Sequence, residues 1–132
     1  MKQQLNPENF YKSARAYSPG IKVDIGDSEM IFVAGQIAKD KDGNIVAPND
    51  ITKQTEFVFQ KIEQILKCGG ASIDDVVKAV IYVTRISDFE KISAVRNKYF
   101  SNCKPASTLI EISKTTYEGC NVEIEVIAIR KK

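Results

Sequence analysis

Residues Val76–Thr84 (VVKAVIYVT) are apolar at nearly every position and dense in β-branched side chains. Strand side chains alternate between faces, so a run of this kind is apolar on both and belongs in the interior of a sheet. What can cover those two faces is limited. Ile51, Thr55, Val58, Ile62 and Ile65 recur at helical spacing and form one stripe, which predicts a helix over about Asp50–Lys67. Asn49 or Asp50 can cap its start, and Gly69-Gly70 offers a left-handed stop. Ser87-x-x-Glu90 has the form of a capping box and predicts a second helix reaching about Phe100. Two helices cover one sheet face. A second face this apolar would be left open, and open apolar faces mark interfaces, so self-association is expected.

The remaining strands follow from local signals. Met30–Ala34 is a short apolar run ending at Gly35, and Lys22–Ile25 would pair with it through a Gly26-Asp27-Ser28-Glu29 turn. Asp40–Asn49, with Asp42-Gly43 and Pro48, reads as loop. Ser72-x-x-Asp75 can cap a single turn. Pro105 holds Lys104 extended and releases the chain into a strand over Ser107–Ser113, and Val122–Arg130 closes the sheet. The predicted order is ββαβαββ, an α+β layered domain with both helices on one face. With no linker, repeat or low-complexity run in 132 residues, we expect one domain over 1–132.

Composition excludes several classes of chemistry. Nineteen basic against seventeen acidic residues leave a net charge of +2, too balanced for a general nucleic-acid or membrane binder. No stretch approaches the roughly 20 apolar residues of a membrane span, and the amino end lacks the apolar core of a signal peptide. Three cysteines, Cys68, Cys103 and Cys120, form no Cys-x-x-Cys pair and predict free thiols in a reducing, cytoplasmic setting. The chain has no histidine, which removes the usual general base, the usual metal ligand and every imidazole triad. Asp42-x-Asn44 lacks the full ligand set of a calcium loop. Cys103 and Cys120 have no imidazole to activate them.

Within the last strand, Glu123 and Glu125 share a face that continues with Ile127 and Ile129. Two carboxylates ahead of an apolar run suggest the mouth of a cleft. Desolvation there would raise the pKa of Glu123 toward the range useful for acid–base work. The alternative for either residue is an ion pair. On the second helix, Arg96 falls within the arc of Phe89, Ile92, Ser93, Tyr99 and Phe100, and such a charge needs a partner or a cleft. Its partner could be a ligand, one of Glu111, Glu123 or Glu125, or water reached by snorkelling. Gly35 permits close approach of backbone at Ala34–Gly35 to a ligand, or simply tight packing.

Gly35-Gln36-Ile37 after an apolar strand, Ser87-Asp88-Phe89, Pro105-Ala106 and VEIEVIAIR at Val122–Arg130 together resemble the Rid/YjgF family, also labelled endoribonuclease L-PSP, over nearly the whole chain. The resemblance implies a mixed sheet with two helices on one face, in a barrel-like homotrimer with three clefts between subunits. It implies hydrolysis of reactive enamines or imines to oxo compounds and ammonia, with no cofactor, and the absence of histidine separately argues against a metal centre. It casts Glu123 as the residue that positions water and Tyr17 as a cleft tyrosine. Ser93 matches a position often held by a ligand-contacting asparagine. Leu109 stands where relatives often carry a cysteine or another small residue.

One departure weighs on the expected activity. The family's deaminases place an arginine directly after Pro-Ala, where this chain has Ser107. A guanidinium clamps a carboxylate through charge-assisted bonds worth about 1.5–3 kcal/mol each, whereas a hydroxyl brings no charge. Arg96, or less favourably Arg15, could supply the missing cation. A binding or regulatory trimer for a small carboxylate metabolite is thus an alternative to an enzyme, and a ribonuclease is a third.

Overall fold

The computed structural model describes residues 1–10 and 15–132. Its six strands are β1 (Lys2–Leu5), β2 (Gly20–Ile25), β3 (Ser28–Ile37), β4 (Val76–Val83), β5 (Ala106–Glu111) and β6 (Val122–Lys131). Two helices, α1 (Ile51–Cys68) and α2 (Phe89–Tyr99), complete the α+β layered domain. The sheet order is β1-β2-β3-β6-β4-β5. Among the described strands only β4 and β5 run parallel, joined by the crossover through α2, so the sheet is mixed.

Strand β1 is an addition to the expected order, because its sequence KQQL carries almost no apolar pattern. Main-chain pairing to β2 and burial of Leu5 hold it. The β2–β3 hairpin closes through Gly26 and Asp27, with Gly26 at φ +83°, the conformation such tight loops require. β3 extends beyond the expected Ala34 to Ile37, and its register against β6 slips between Val33 and Gln36. That bulge falls at Ala34–Gly35.

Helix α1 buries Ile51, Thr55, Val58, Ile62 and Ile65, the whole expected stripe, together with Phe59 and Leu66. The Asp50 carboxylate caps it by accepting from the Lys53 N–H at 3.1 Å. At the other end Gly70, at φ +81°, takes the left-handed turn. Phe59 stacks on Tyr99 at 4.6 Å and meets the edge of Phe100 at 5.2 Å, which locks α1 to α2. Helix α2 does not start with the expected capping box. Arg85 precedes a single 3-10 turn at Ile86–Asp88, Asp88 stands at the N-cap of α2, and no side-chain cap bond forms.

One sheet face, with Ile31, Val33, Ala79, Ile81, Val83, Val122, Ile124 and Val126, is buried in a single core with the helices. The other face stays open, with Phe32 41% and Ile110 49% exposed. It carries register partners such as Phe32 with Ile127 and Met30 with Ile129. Among the described residues no helix is long and apolar enough to cross a membrane.

Candidate functional site

The bulge in β3 brings the backbone of Gly35 against the side chain of its neighbour on β6, Glu123. A Cβ built at Gly35 would lie only 2.9 Å from Glu123 Cδ and 3.1 Å from Cγ, so the carboxylate occupies the space that glycine leaves empty. This packing half-buries Glu123. Among the described residues no hydrogen-bond donor or cation reaches its carboxylate. Burial, followed by repulsion from Glu125, pushes its carboxyl above the usual range. Glu125 has a phenol for its partner instead of the expected cation. The Tyr82 hydroxyl donates to its Oε1 at 2.5 Å, and that bond is the main reason the phenol's own pKa rises.

Glu123 and Gly35 line a broad cleft of about 1900 Å³. The same cleft collects Ala34, Tyr17 and Arg15 from the candidates read in the sequence. The loop that carries Tyr17 is fixed to the bulge by the Ala34 N–H donating to the Pro19 carbonyl at 2.9 Å. Tyr17 itself is largely exposed, free to meet a ligand or another chain.

The other candidates lie elsewhere. Ser107 sits on edge strand β5, in register with Ala79, and so projects from the helix side of the sheet. Glu123 projects from the opposite side, and β4 separates their strands. Within one chain the two cannot meet. Leu109, two residues on, packs against the core. Ser93 is buried on α2 with its hydroxyl unpaired. Arg96 reaches none of Glu111, Glu123 or Glu125, and its Nε donates to Asn97 at 3.2 Å. Neither residue lines the Glu123 cleft.

Three cleft residues escaped the sequence reading: Lys61, Lys39 and Tyr117. Lys61 lies on the shoulder of the α1 stripe, three residues after Val58, and that spacing was the available signal. Its ammonium donates to the carbonyls of Ile37 and Lys39, each at 3.1 Å. Burial lowers its pKa to about 8. Lys39 lies over the Tyr117 ring, its ammonium 3.6 Å from the centroid, and this cation pulls the phenol's pKa down. Burial raises the thiols of Cys103 and Cys120, which makes them poor nucleophiles. Among the described residues no cluster of three acidic or thiol side chains could hold a metal.

Comparison with known proteins identifies the family. The family model "Endoribonuclease L-PSP" matches residues 8–130. A RutC family protein of Pyrococcus abyssi is 36% identical over 130 residues, covering 98% of both chains. The chain belongs to the Rid/YjgF family. A solved Rid-family structure, YyfA of Yersinia pestis, superimposes with a TM-score of 0.85 at 32% identity, covering 97% of this chain and 98% of that one. TdcF of E. coli, solved with bound serine, gives a TM-score of 0.82 at 25% identity over 98% of this chain and 99% of its own. The superpositions cover 97% and 98% of this chain, and the α+β architecture of this Rid/YjgF chain is the family's.

Proposed function

We propose that this protein is a cofactor-independent hydrolase of small imines or enamines, working as a homotrimer whose clefts are completed by the adjacent subunit. The observation that carries the reading is Glu123, a half-buried carboxylate without a partner among the described residues, raised in pKa and facing a cleft. Burying a charge without pairing it is costly, and the cost is sensible where the group must exchange protons.

The chemistry follows from that group. Glu123 accepts a proton from a water molecule, whose oxygen attacks the imine carbon while the C=N electron pair moves to nitrogen and is protonated. The resulting carbinolamine loses ammonia as Glu123 passes its proton to nitrogen, and the carbinolamine's hydroxyl proton goes to solvent, which supplied the proton taken up at nitrogen on attack, leaving the carbonyl compound. An enamine enters the same route after protonation at carbon. Tyr17 orients the substrate through its hydroxyl, and the backbone of Ala34–Gly35 forms one wall.

Assembly is supported by two features. The open sheet face is apolar, and Ser107 and Glu123 project from opposite sides of the sheet, so a pocket using both needs two copies. That a relative was solved with bound serine supports a small metabolite as ligand. The balanced charge disfavours the ribonuclease reading, which a steep salt dependence of RNA binding would instead support.

A binding protein without turnover is the second reading, favoured by the neutral hydroxyl at Ser107. The test is hydrolysis of 2-iminobutanoate generated in situ by wild type, Glu123→Ala and Ser107→Arg. Wild-type turnover lost in Glu123→Ala supports the enzyme. Turnover gained only in Ser107→Arg sinks it in favour of the binder.

A further inference from the structure

We infer that Lys61 is the anion anchor of the cleft, receiving the carboxylate of a small metabolite at the end of β3 and setting the specificity for acidic over neutral ligands. The inference rests on the small-metabolite reading above and gives it a cation from within the cleft itself.

Lys61 has an unusual combination of partners for a lysine. Its ammonium is withdrawn from water between α1 and the end of β3, held by the carbonyls of Ile37 and Lys39. The rings of Phe10 and Phe57 stand 5.6 and 5.9 Å from it. Among the described residues no carboxylate comes within ion-pair distance of it. Among the described residues Asp40 is the only carboxylate acting on it, from a distance and after the Cys120 thiol, and its Oδ1 already accepts from the Asp42 and Asn44 N–H groups. Two carbonyls use two of the three ammonium protons. The third is available to an anion, and an anion would offset the desolvation that the protein itself leaves uncompensated.

The setting agrees in charge and position. Among the described residues Lys2, Arg15, Lys39, Lys41 and Lys61 line the cleft against Asp40 and Glu123. Ile37, whose carbonyl holds the ammonium, is the register partner of Glu123. One wall thus presents a cation at one point and a proton-exchanging carboxylate at another. A single desolvated ammonium matches one negative charge, which favours a carboxylate over a phosphate dianion.

The test is calorimetric titration with 2-oxobutanoate, with neutral butanone and inorganic phosphate as comparators, on wild type, Lys61→Met and Lys61→Arg. Wild type should bind 2-oxobutanoate at pH 7, and Lys61→Met should bind it about 10- to 100-fold more weakly while butanone binding is unchanged. Lys61→Arg should stay within about tenfold of wild type. Wild-type affinity should also fall as pH rises past about 8, a readout that needs no variant. Asp40, Lys39 and the Cys120 thiol face the same amine. Burial keeps that thiol neutral through the lower part of this window.

Equal affinity in folded Lys61→Met, a flat wild-type pH profile, or phosphate binding as tightly as 2-oxobutanoate would each overturn the assignment. Its failure is distinct from failure of the hydrolase reading. Turnover with an unchanged KM in Lys61→Met removes the anchor and keeps the enzyme. Lys61-dependent binding without turnover does the reverse.

Discussion

Gly35→Ala separates the catalytic use of the bulge from its packing use. The added Cβ would lie 2.9 Å from Glu123 Cδ and 3.1 Å from Cγ. Carbon atoms in ordinary contact stand about 3.5–4.0 Å apart, so the carboxylate has to retreat by roughly 0.5–1 Å. What must move is the end of a flexible side chain, and driving it off its rotamer costs about 0.5–1.5 kcal/mol. Gly35 is not at positive φ, so alanine fits the backbone and stiffens the unfolded chain by about 0.4–1 kcal/mol. The two terms nearly cancel, and stability should stay within about 1 kcal/mol of wild type. Activity should not. Displacing a reacting group by such a distance costs on the order of 100-fold in rate. The assay is turnover of in situ 2-iminobutanoate beside thermal unfolding at one protein concentration. Full activity in the variant would refute the placement of Glu123 at the reacting centre. A collapse of the melting temperature would show that Gly35 serves packing alone.

Three further outcomes follow from named side chains. The Glu123 carboxyl titrates above its ordinary range when folded, so the folded chain binds a proton the unfolded chain releases, and stability falls as pH rises across that window. Glu123→Gln should abolish this slope and be at least as stable as wild type at pH 7, while losing about 100-fold or more in turnover; a marked drop in its melting temperature would mean the carboxylate is structural. Lys61 carries the opposite sign. Its folded pKa of about 8 lies below the ordinary 10.5, so the unliganded protein should gain stability between those pH values, and Lys61→Met should remove the gain in urea titrations run at both ends. Gln54 is fully buried, donating to Val46 O at 3.2 Å and Gly119 O at 2.7 Å and accepting from the Asn121 N–H at 3.1 Å. Gln54→Leu strands three backbone groups and should cost about 3 kcal/mol in urea unfolding at fixed protein concentration; a loss below about 1 kcal/mol would mean water replaces the amide.

Hydrophobic period alone made much of the fold legible. The stripe from Ile51 to Ile65 and the doubly apolar Val76–Val83 become α1 and an interior strand because burial of those side chains has only one geometric solution each. The polar strand β1 had no such signal, since main-chain pairing ignores side-chain type. The start of α2 misled for a related reason. Ser87-x-x-Glu90 fits a capping box, but the tight turn at Ile86–Asp88 shifts the helix start past it.

The site divides along the same line. Alternation along β6 put Glu123 on a face with Glu125 from sequence alone, and a glycine after an apolar strand marked Gly35 as a place of close approach. That the two occupy one space depends on a register slip between strands some 85 residues apart in the chain, which no local pattern encodes. The separation of Ser107 from Glu123 and the desolvation of Lys61 are tertiary in the same sense. Side-chain chemistry and its period are written locally. Which charges lose their water, and which residues come to face one another, is decided only when distant strands and helices pack.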